Sequence, residues 1–247
     1  MNKKITIAID AMGGENAPDK NIEGLSIFMN RNKNAEDFTF HLYGNEKILK
    51  DKISKFNISN EKVKIFHTEG IVSDEETPLT AIKNSKNTSM WKAVESQITN
   101  KSDISLSAGN TGVLLIISRM ILKTMKEVNK PALAGLWPSK KGMSVVLDLG
   151  ANIECDEKNL IDFSEMGAAL YKSIFPMQKP HVSLLNIGSE EIKGTEVLKK
   201  TYTSLKNLSD DNNFLFNGYI EGNKLMEGET NVIVTDGFTG NIALKTA

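Results

Sequence analysis

The sequence predicts an α/β protein built on a parallel sheet, and three observations predict it. Apolar, β-prone runs alternate with segments of helical period along the whole chain. Five of those runs stop at small, Gly-rich polar clusters, most of which lead into helix-like sequence, as strands of a parallel sheet do when all end at one edge. The hydrophobic fraction of 40% and charged fraction of 25% are those of a water-soluble globular chain, and no apolar stretch reaches bilayer length.

In chain order, the runs Ile5–Asp10, Phe38–Tyr43, Val63–His67, Ile104–Ser107, Ala132–Leu136, Ser144–Asp148, Val182–Asn186 and Val232–Thr235 are rich in β-branched and aromatic residues and read as strands. Between them, Asn21–Asn30, Glu46–Lys55, Met90–Thr99, Val113–Lys123, Leu160–Phe175 and Thr195–Leu208 carry apolar residues at helical spacing. Thr68–Pro78 has neither period and reads as a polar connection or lid. Ser209–Asn213 reads as a surface turn before a strand at Phe214–Tyr219. The chain is expected to be one domain over residues 1–247, incomplete at its C-terminus, because it stops just inside a helix expected to begin near Gly240.

A net charge of −1 argues against general nucleic-acid binding. Cys155 is the single cysteine, so neither an internal disulfide nor a cysteine-based metal site forms, which suits a reducing cytosol. The start, Met1-Asn2-Lys3-Lys4, runs straight into a strand and shows no secretory signal.

The strand ends carry the chemistry. Asp10-Ala11-Met12-Gly13-Gly14 permits a tight turn with exposed N–H groups, although it has neither the P-loop spacing nor the dinucleotide fingerprint. An ordinary βα turn explains it equally well. Ser107-Ala108-Gly109-Asn110-Thr111-Gly112 packs a hydroxyl, an amide and two glycines before a helix; Asn110 or Thr111 can cap that helix, and the same N–H groups suit an anion. Thr235-Asp236-Gly237-Phe238-Thr239-Gly240-Asn241, with Lys245 further on, offers a carboxylate, a hydroxyl, an amide and a cation. Asp148 with Asn152, and Asn186 with Glu190 and Lys193, repeat the arrangement and each reads individually as structural.

His41, His67 and His181 lie in or beside strands without a shared spacing and are given no role. A nucleophile elbow is missing, and Cys155 has no neighbouring base, so direct attack by a bound substrate is the simpler scheme. Lys123, Lys126, Lys130 and Lys140-Lys141 read as a solvated basic face, with a dock for an acidic carrier protein as the sharper alternative.

Taken together and in order, Asp10-Ala11-Met12-Gly13-Gly14-x-x-Ala17-Pro18, Ser107 to Gly112, Leu147-Asp148-Leu149-Gly150-Ala151-Asn152, Leu185-Asn186-Ile187-Gly188-Ser189-Glu190 and Thr235 to Asn241 closely resemble the PlsX family of bacterial phosphate acyltransferases. Glu15 stands where the family usually has Asp. The resemblance implies a three-layer α/β/α fold related to isocitrate and isopropylmalate dehydrogenases. It implies transfer of a long-chain acyl group from acyl carrier protein to inorganic phosphate, giving acyl phosphate for phospholipid synthesis. It further implies no cofactor or metal, a cytoplasmic homodimer with peripheral membrane contact, and a downstream glycerol-3-phosphate acyltransferase as consumer of the product. The family normally continues well beyond the length present here.

In the mechanism expected from chemistry and location, Gly13, Gly14, Gly109 and Gly112 hold phosphate, joined by Asp10, Asn152, Asn186, Gly237, Thr239, Gly240 and Lys245. Asn110, Thr111 and Asn241 are the expected donors to the developing oxyanion, and Asp236 the expected base. Two alternatives stay open. One is a remnant that binds only carrier protein or membrane; the other is a nicotinamide-dependent dehydrogenase of related fold, thinly supported because Arg31 and Arg119 are the only arginines.

Overall fold

The computed structural model describes residues 4–32, 37–59, 61–73, 75–77, 80, 83, 85–176, 179–208 and 213–247. It divides into two compact units, Met1–Lys123 and Thr124–Ala247. The nine described strands fall into two sheets. Strand-helix alternation does not reveal that split, because the period within a strand carries no information about its neighbours.

In the first unit, β1 (Ile5–Asp10), β2 (Phe38–Gly44), β3 (Val63–His67) and β4 (Ile104–Ser107) form an all-parallel sheet in the order β3-β2-β1-β4. Helices α1 (Asp19–Arg31), α2 (Glu46–Lys55), α3 (Ser89–Ile98) and α4 (Thr111–Leu122) accompany it. Alternation along β2 sorts them into layers: Phe40 and Leu42 pack with Ile22, Leu25, Leu49 and Ile53 of α1 and α2, whereas Tyr43 meets Ala93 of α3. A further cluster of Met90, Trp91, Val94, Val113 and Ile117 joins α3 to α4.

The second unit holds β5 (Gly135–Ser139), β6 (Gly142–Leu147), β7 (His181–Asn186), β8 (Leu215–Glu221) and β9 (Val232–Val234) in the order β5-β6-β9-β7-β8. Only the β5–β6 hairpin is antiparallel among the described pairings. Helices α5 (Glu157–Ile174), α6 (Glu196–Leu208) and α7 (Gly237–Thr246) complete it. Val145, Leu147, Leu184, Val232 and Val234 face Leu160 and Phe163 of α5 and Leu205 of α6, while Val146, Leu185 and Ile233 face the opposite way onto Trp137, Leu225 and Ala243 of α7. Each unit is therefore an α/β/α sandwich with a mainly parallel sheet, the fold class read from the sequence.

Helix starts follow capping chemistry. Asn45, Thr88, Asn110, Asp156 and Asp236 each accept a hydrogen bond from a backbone N–H three residues on, satisfying a donor the helix cannot. The strand expected at Ala132–Leu136 starts later, at Gly135. Residues 132–134 leave the ladder because Leu133 N–H is drawn to Asp148 Oδ1 (3.0 Å) and its carbonyl accepts from Leu149 N–H (2.9 Å). Pro138 sits in β5, an edge strand, where a missing N–H is tolerated. Of the expected lid, Asp74 and Pro78 lie outside the described residues; of the expected turn at Ser209–Asn213, residues 209–212 do. No described helix is long and apolar enough to cross a membrane.

Candidate active site

The strand-end residues fall into two clusters, one in each unit. In the first, parallel pairing sets Asp10 at the end of β1 beside Ser107 at the end of β4. Ser107 Oγ donates to Asp10 Oδ2 at 2.7 Å and accepts from Gly109 N–H at 3.1 Å, so one hydroxyl ties both loops together. Gly13 is dictated by space: a Cβ there would run into the Asp10 carboxylate. Gly14 is dictated by both conformation and space, since its φ is +98° and a Cβ would press on the Ala108 carbonyl. The Asn21 amide, reaching back from α1, donates to the carbonyls of Ala11 (3.1 Å) and Gly13 (3.0 Å) and holds the turn.

Asp10 is 1% exposed. Burial raises its pKa above the ordinary carboxyl value, opposed by the Ser89 and Ser107 hydroxyls and the N–H groups of Met12 and Gly13. None of these closes a hydrogen bond on Oδ1, which has no partner. The turn predicted as an anion cradle thus turns two of its N–H groups toward a carboxyl of its own. Asn110 caps α4 through Oδ1 to Val113 N–H (3.1 Å), and its amide donates to the Glu76 carbonyl (3.1 Å), which ties the expected lid to this cluster. Thr111 and Gly112 are exposed in the first turn of α4, where helix geometry leaves N–H groups without an intrahelical acceptor.

In the second cluster, β6, β9 and β7 run parallel and end at one edge. Asp148, fully buried, is its keystone. Oδ1 accepts from the N–H groups of Leu133 (3.0 Å), Gly150 (3.1 Å) and Ala151 (2.9 Å), and Oδ2 from the backbone and side-chain nitrogens of Asn152 (2.8 and 2.7 Å). Asn152 also donates to the Pro131 carbonyl (2.7 Å). Helix α7 docks on this loop: Gly237 N–H donates to the Asn152 carbonyl (2.7 Å), and the Asn241 amide donates to that of Leu149 (3.2 Å). A side chain at Gly240 would collide with the Asp148 carbonyl, so the close approach of helix and loop requires glycine there.

Asp236 caps α7, with Oδ1 on Thr239 N–H (2.8 Å) and Oδ2 on the Thr239 hydroxyl (2.9 Å). Asn152, Asp236, Gly237, Thr239, Gly240 and Asn241 are therefore brought together. Lys245 is not; it lies exposed near the other end of α7, about 13 Å along the axis from Asp236 at the α-helical rise. Asn186, at the end of β7, donates from its amide to the Lys193 carbonyl (3.1 Å), which leaves Oδ1 buried without a partner against Gly194.

Beside this cluster the second unit opens into a cleft of about 1240 Å³. Trp137, Leu160, Leu185, Leu198, Leu225 and Ile242 line it, with Asn186, Asp236 and Thr239 among its few polar groups. Sequence reasoning missed the cleft because five separate elements supply its wall. It also missed Asn21 and Ser89, polar residues at the start of one helix-period segment and just before another, a place that carries no distinctive signal. Cys155 lines the cleft as well; burial first, then the Asp148 carboxylate, pushes its thiol up to about 11, the opposite of what a nucleophile needs. His41 is buried against Phe66, His67 accepts from Glu46 N–H, and His181 bonds Asn217, all local partnerships. Lys140 of the basic stretch pairs with Glu227.

The chain matches the sequence profile of the family described as fatty acid synthesis protein over residues 5–247. It is 53% identical over 247 residues to the phosphate acyltransferase of Pelagibacter ubique, covering 100% of this chain and 72% of that protein. It is 41% identical over 246 residues to the phosphate acyltransferase of Mesorhizobium japonicum, covering 98% and 67%. Among solved structures, a phosphotransacetylase from Streptococcus pyogenes has a TM-score of 0.70 at 14% identity, over 100% of this chain and 82% of that one. EutD phosphotransacetylase from Staphylococcus aureus has 0.69 at 14%, over 99% and 82%. At that identity the structures speak for the fold alone, and the sequence relatives for the chemistry. Together they define an acyltransferase enzyme rather than a dehydrogenase of related fold. The chain belongs to the phosphate acyltransferase family, PlsX.

Proposed function

We propose that this chain transfers a long-chain acyl group from acyl carrier protein to inorganic phosphate. The single observation that carries the reading is the relationship at 53% identity over all 247 residues to a phosphate acyltransferase. The site supports it chemically. The turn from Gly109 to Gly112 opens α4 with N–H groups that have no intrahelical acceptor, and the positive end of the helix dipole favours an anion there. Phosphate is the anion proposed, with Thr111 and Gly112 as its first contacts.

Hydrogen phosphate already carries an ionised oxygen at neutral pH. Its attack forms the bond to the thioester carbonyl carbon, the carbon–sulfur bond breaks, and the leaving thiolate takes the proton that the remaining P–OH of the acyl phosphate gives up. The step asks chiefly for placement and for donors to the developing oxyanion. In this reading Asp236 serves by holding the first turn of α7 through Thr239. The homodimer and peripheral membrane contact expected from the sequence belong to the same proposal, tested by light scattering and vesicle flotation.

Incubation with acylated carrier protein and labelled phosphate, with trapping by hydroxylamine, tests the reading. Acyl hydroxamate that depends on phosphate is the expected result. Release of free fatty acid in its place, with no phosphate dependence, would make the chain a thioesterase and overturn the proposal.

A further inference from the structure

Asp10 is a buried carboxyl that the reaction proposed above leaves without a part. It is 1% exposed, at the junction of two glycine turns of the first unit. Those turns touch backbone to backbone: a Cβ on Gly14 would press on the Ala108 carbonyl, and one on Gly109 would come within 3.3 Å of Gly13 Cα. At the junction Ser107 Oγ donates to Asp10 Oδ2 (2.7 Å) and accepts from Gly109 N–H (3.1 Å). The contacts therefore run from the end of β1, through one hydroxyl, into the backbone of the turn that opens α4. This arrangement is expensive. Asp10 Oδ1 and the Oγ of Ser89, 0% exposed at the start of α3, both lack a hydrogen bond among the described residues. An apolar pair would join the two strand ends without that cost, and unmet buried polar groups are kept chiefly where function uses them.

The geometry points to Asp10 and Ser107 as positioning residues for the phosphate: the Asp10 carboxyl fixes the Ser107 hydroxyl, which holds Gly109 N–H and with it the first turn of α4, where Thr111 and Gly112 meet the anion. The inference rests on the acyltransferase reading above and adds how the first unit sets its phosphate contacts. It reassigns Asp10 from touching phosphate to acting through Ser107. Binding sites tolerate only about 0.5 Å of slack. Releasing Gly109 N–H loosens the turn, and weakens phosphate by about tenfold, roughly the worth of one hydrogen bond.

The probe is inorganic phosphate alone, titrated into the full chain and read by broadening of its phosphorus NMR signal, with the KM for phosphate in acyl transfer as a second readout. The titration midpoint and KM do not depend on the folded fraction, so a loss of stability by itself moves neither. Ser107→Ala is expected to raise both about tenfold, with kcat per folded molecule changed much less. Ser107→Thr, which keeps the hydroxyl, restores most of the affinity. Ser107→Cys has a similar shape but a weak donor and acceptor; it shares the loss, and serves where the alanine variant folds poorly. Asp10→Ala leaves Ser107 without its acceptor and weakens phosphate too, and adding Ser107→Ala to it costs little more, because both break one link.

Unchanged phosphate affinity in a folded Ser107→Ala that still yields acyl phosphate would overturn the proposal, with the transferase reading intact. Equal loss in Ser107→Thr and Ser107→Ala would also overturn it, since the hydroxyl would then not be the group at work. Additive losses in the double variant would separate Asp10 from Ser107 and overturn the relay. A loss of binding that Ser107→Thr reverses, in a chain that forms no acyl phosphate, would support the positioning role while removing the transferase reading.

Discussion

Replacing Asp148 by Asn changes one atom and should cost the second unit a large share of its stability. The carboxylate is fully buried and accepts five hydrogen bonds, three on Oδ1 and two on Oδ2. An amide keeps one acceptor oxygen and turns the other into a donor. In its less damaging orientation the new NH2 faces the two nitrogens of Asn152, donor against donor. Two hydrogen bonds to a charged group are lost, at roughly 1.5–3 kcal/mol each, so Asp148→Asn should destabilise by about 3–6 kcal/mol. The opposite orientation opposes three N–H groups and is worse. Domains of ordinary stability hold only ~5–15 kcal/mol in total, so the effect is easily measured. Urea unfolding followed by Trp137 emission in a Trp91→Phe background reads it, because Trp137 packs in the cluster that includes Leu149. A change below about 1 kcal/mol would refute the account of this loop as one organised around a buried anion. A second readout is independent of folding energy: with the Asp148 charge gone, the Cys155 thiol should titrate lower than in the wild type, though still raised by burial.

Asp10 gives a pH signature. Its folded carboxyl binds a proton more tightly than the unfolded one, so above the ordinary value of 3.8 the folded state holds more protons and stability falls as pH rises through the raised pKa. Asp10→Asn should remove that fall, and urea midpoints with superimposable pH slopes would contradict it. A Cys155 thiol at about 11 rather than 9.0 should alkylate with iodoacetamide about tenfold more slowly at pH 8 than an unperturbed thiol, the smaller thiolate fraction being partly offset by the greater nucleophilicity of a more basic thiolate, and Cys155→Ser should leave acyl phosphate formation unchanged. Two glycines should respond with opposite signs in thermal melts. Gly24→Ala, in mid-α1 with nothing within 4 Å of the new carbon, should stabilise by ~0.5–1 kcal/mol, whereas Gly240→Ala, driven into the Asp148 carbonyl, should destabilise by ~1–3 kcal/mol.

Much of this was legible in the linear chain. β1, β3 and β4 begin and end where their apolar runs do, and α2 spans the predicted Glu46–Lys55, because apolar spacing and capping are local properties. The strand-end clusters were legible too, since a glycine pair after a strand demands a tight turn. Which anion those turns hold was not. Met12 and Gly13 turn their N–H groups toward Asp10, and Gly150, Ala151 and Asn152 give theirs to Asp148. A strand-end Asp followed by Gly has the same sequence signature whether the loop's anion is its own or a ligand.

The amino-acid order alone determined layered α/β architecture, the strand-end positions of the polar clusters, and the family, since these depend on periodicity and on motifs that stay contiguous. Three-dimensional packing decided the partition into two sheets, the commitment of Asn110, Asn152 and Asn241 to backbone carbonyls or caps, and the existence of a broad apolar cleft beside Asn186. Those depend on contacts between residues such as Asn241 and Leu149, or Trp137 and Met226, that lie 92 and 89 positions apart. At such separations, chain order fixes neither the neighbour nor the direction of a hydrogen bond.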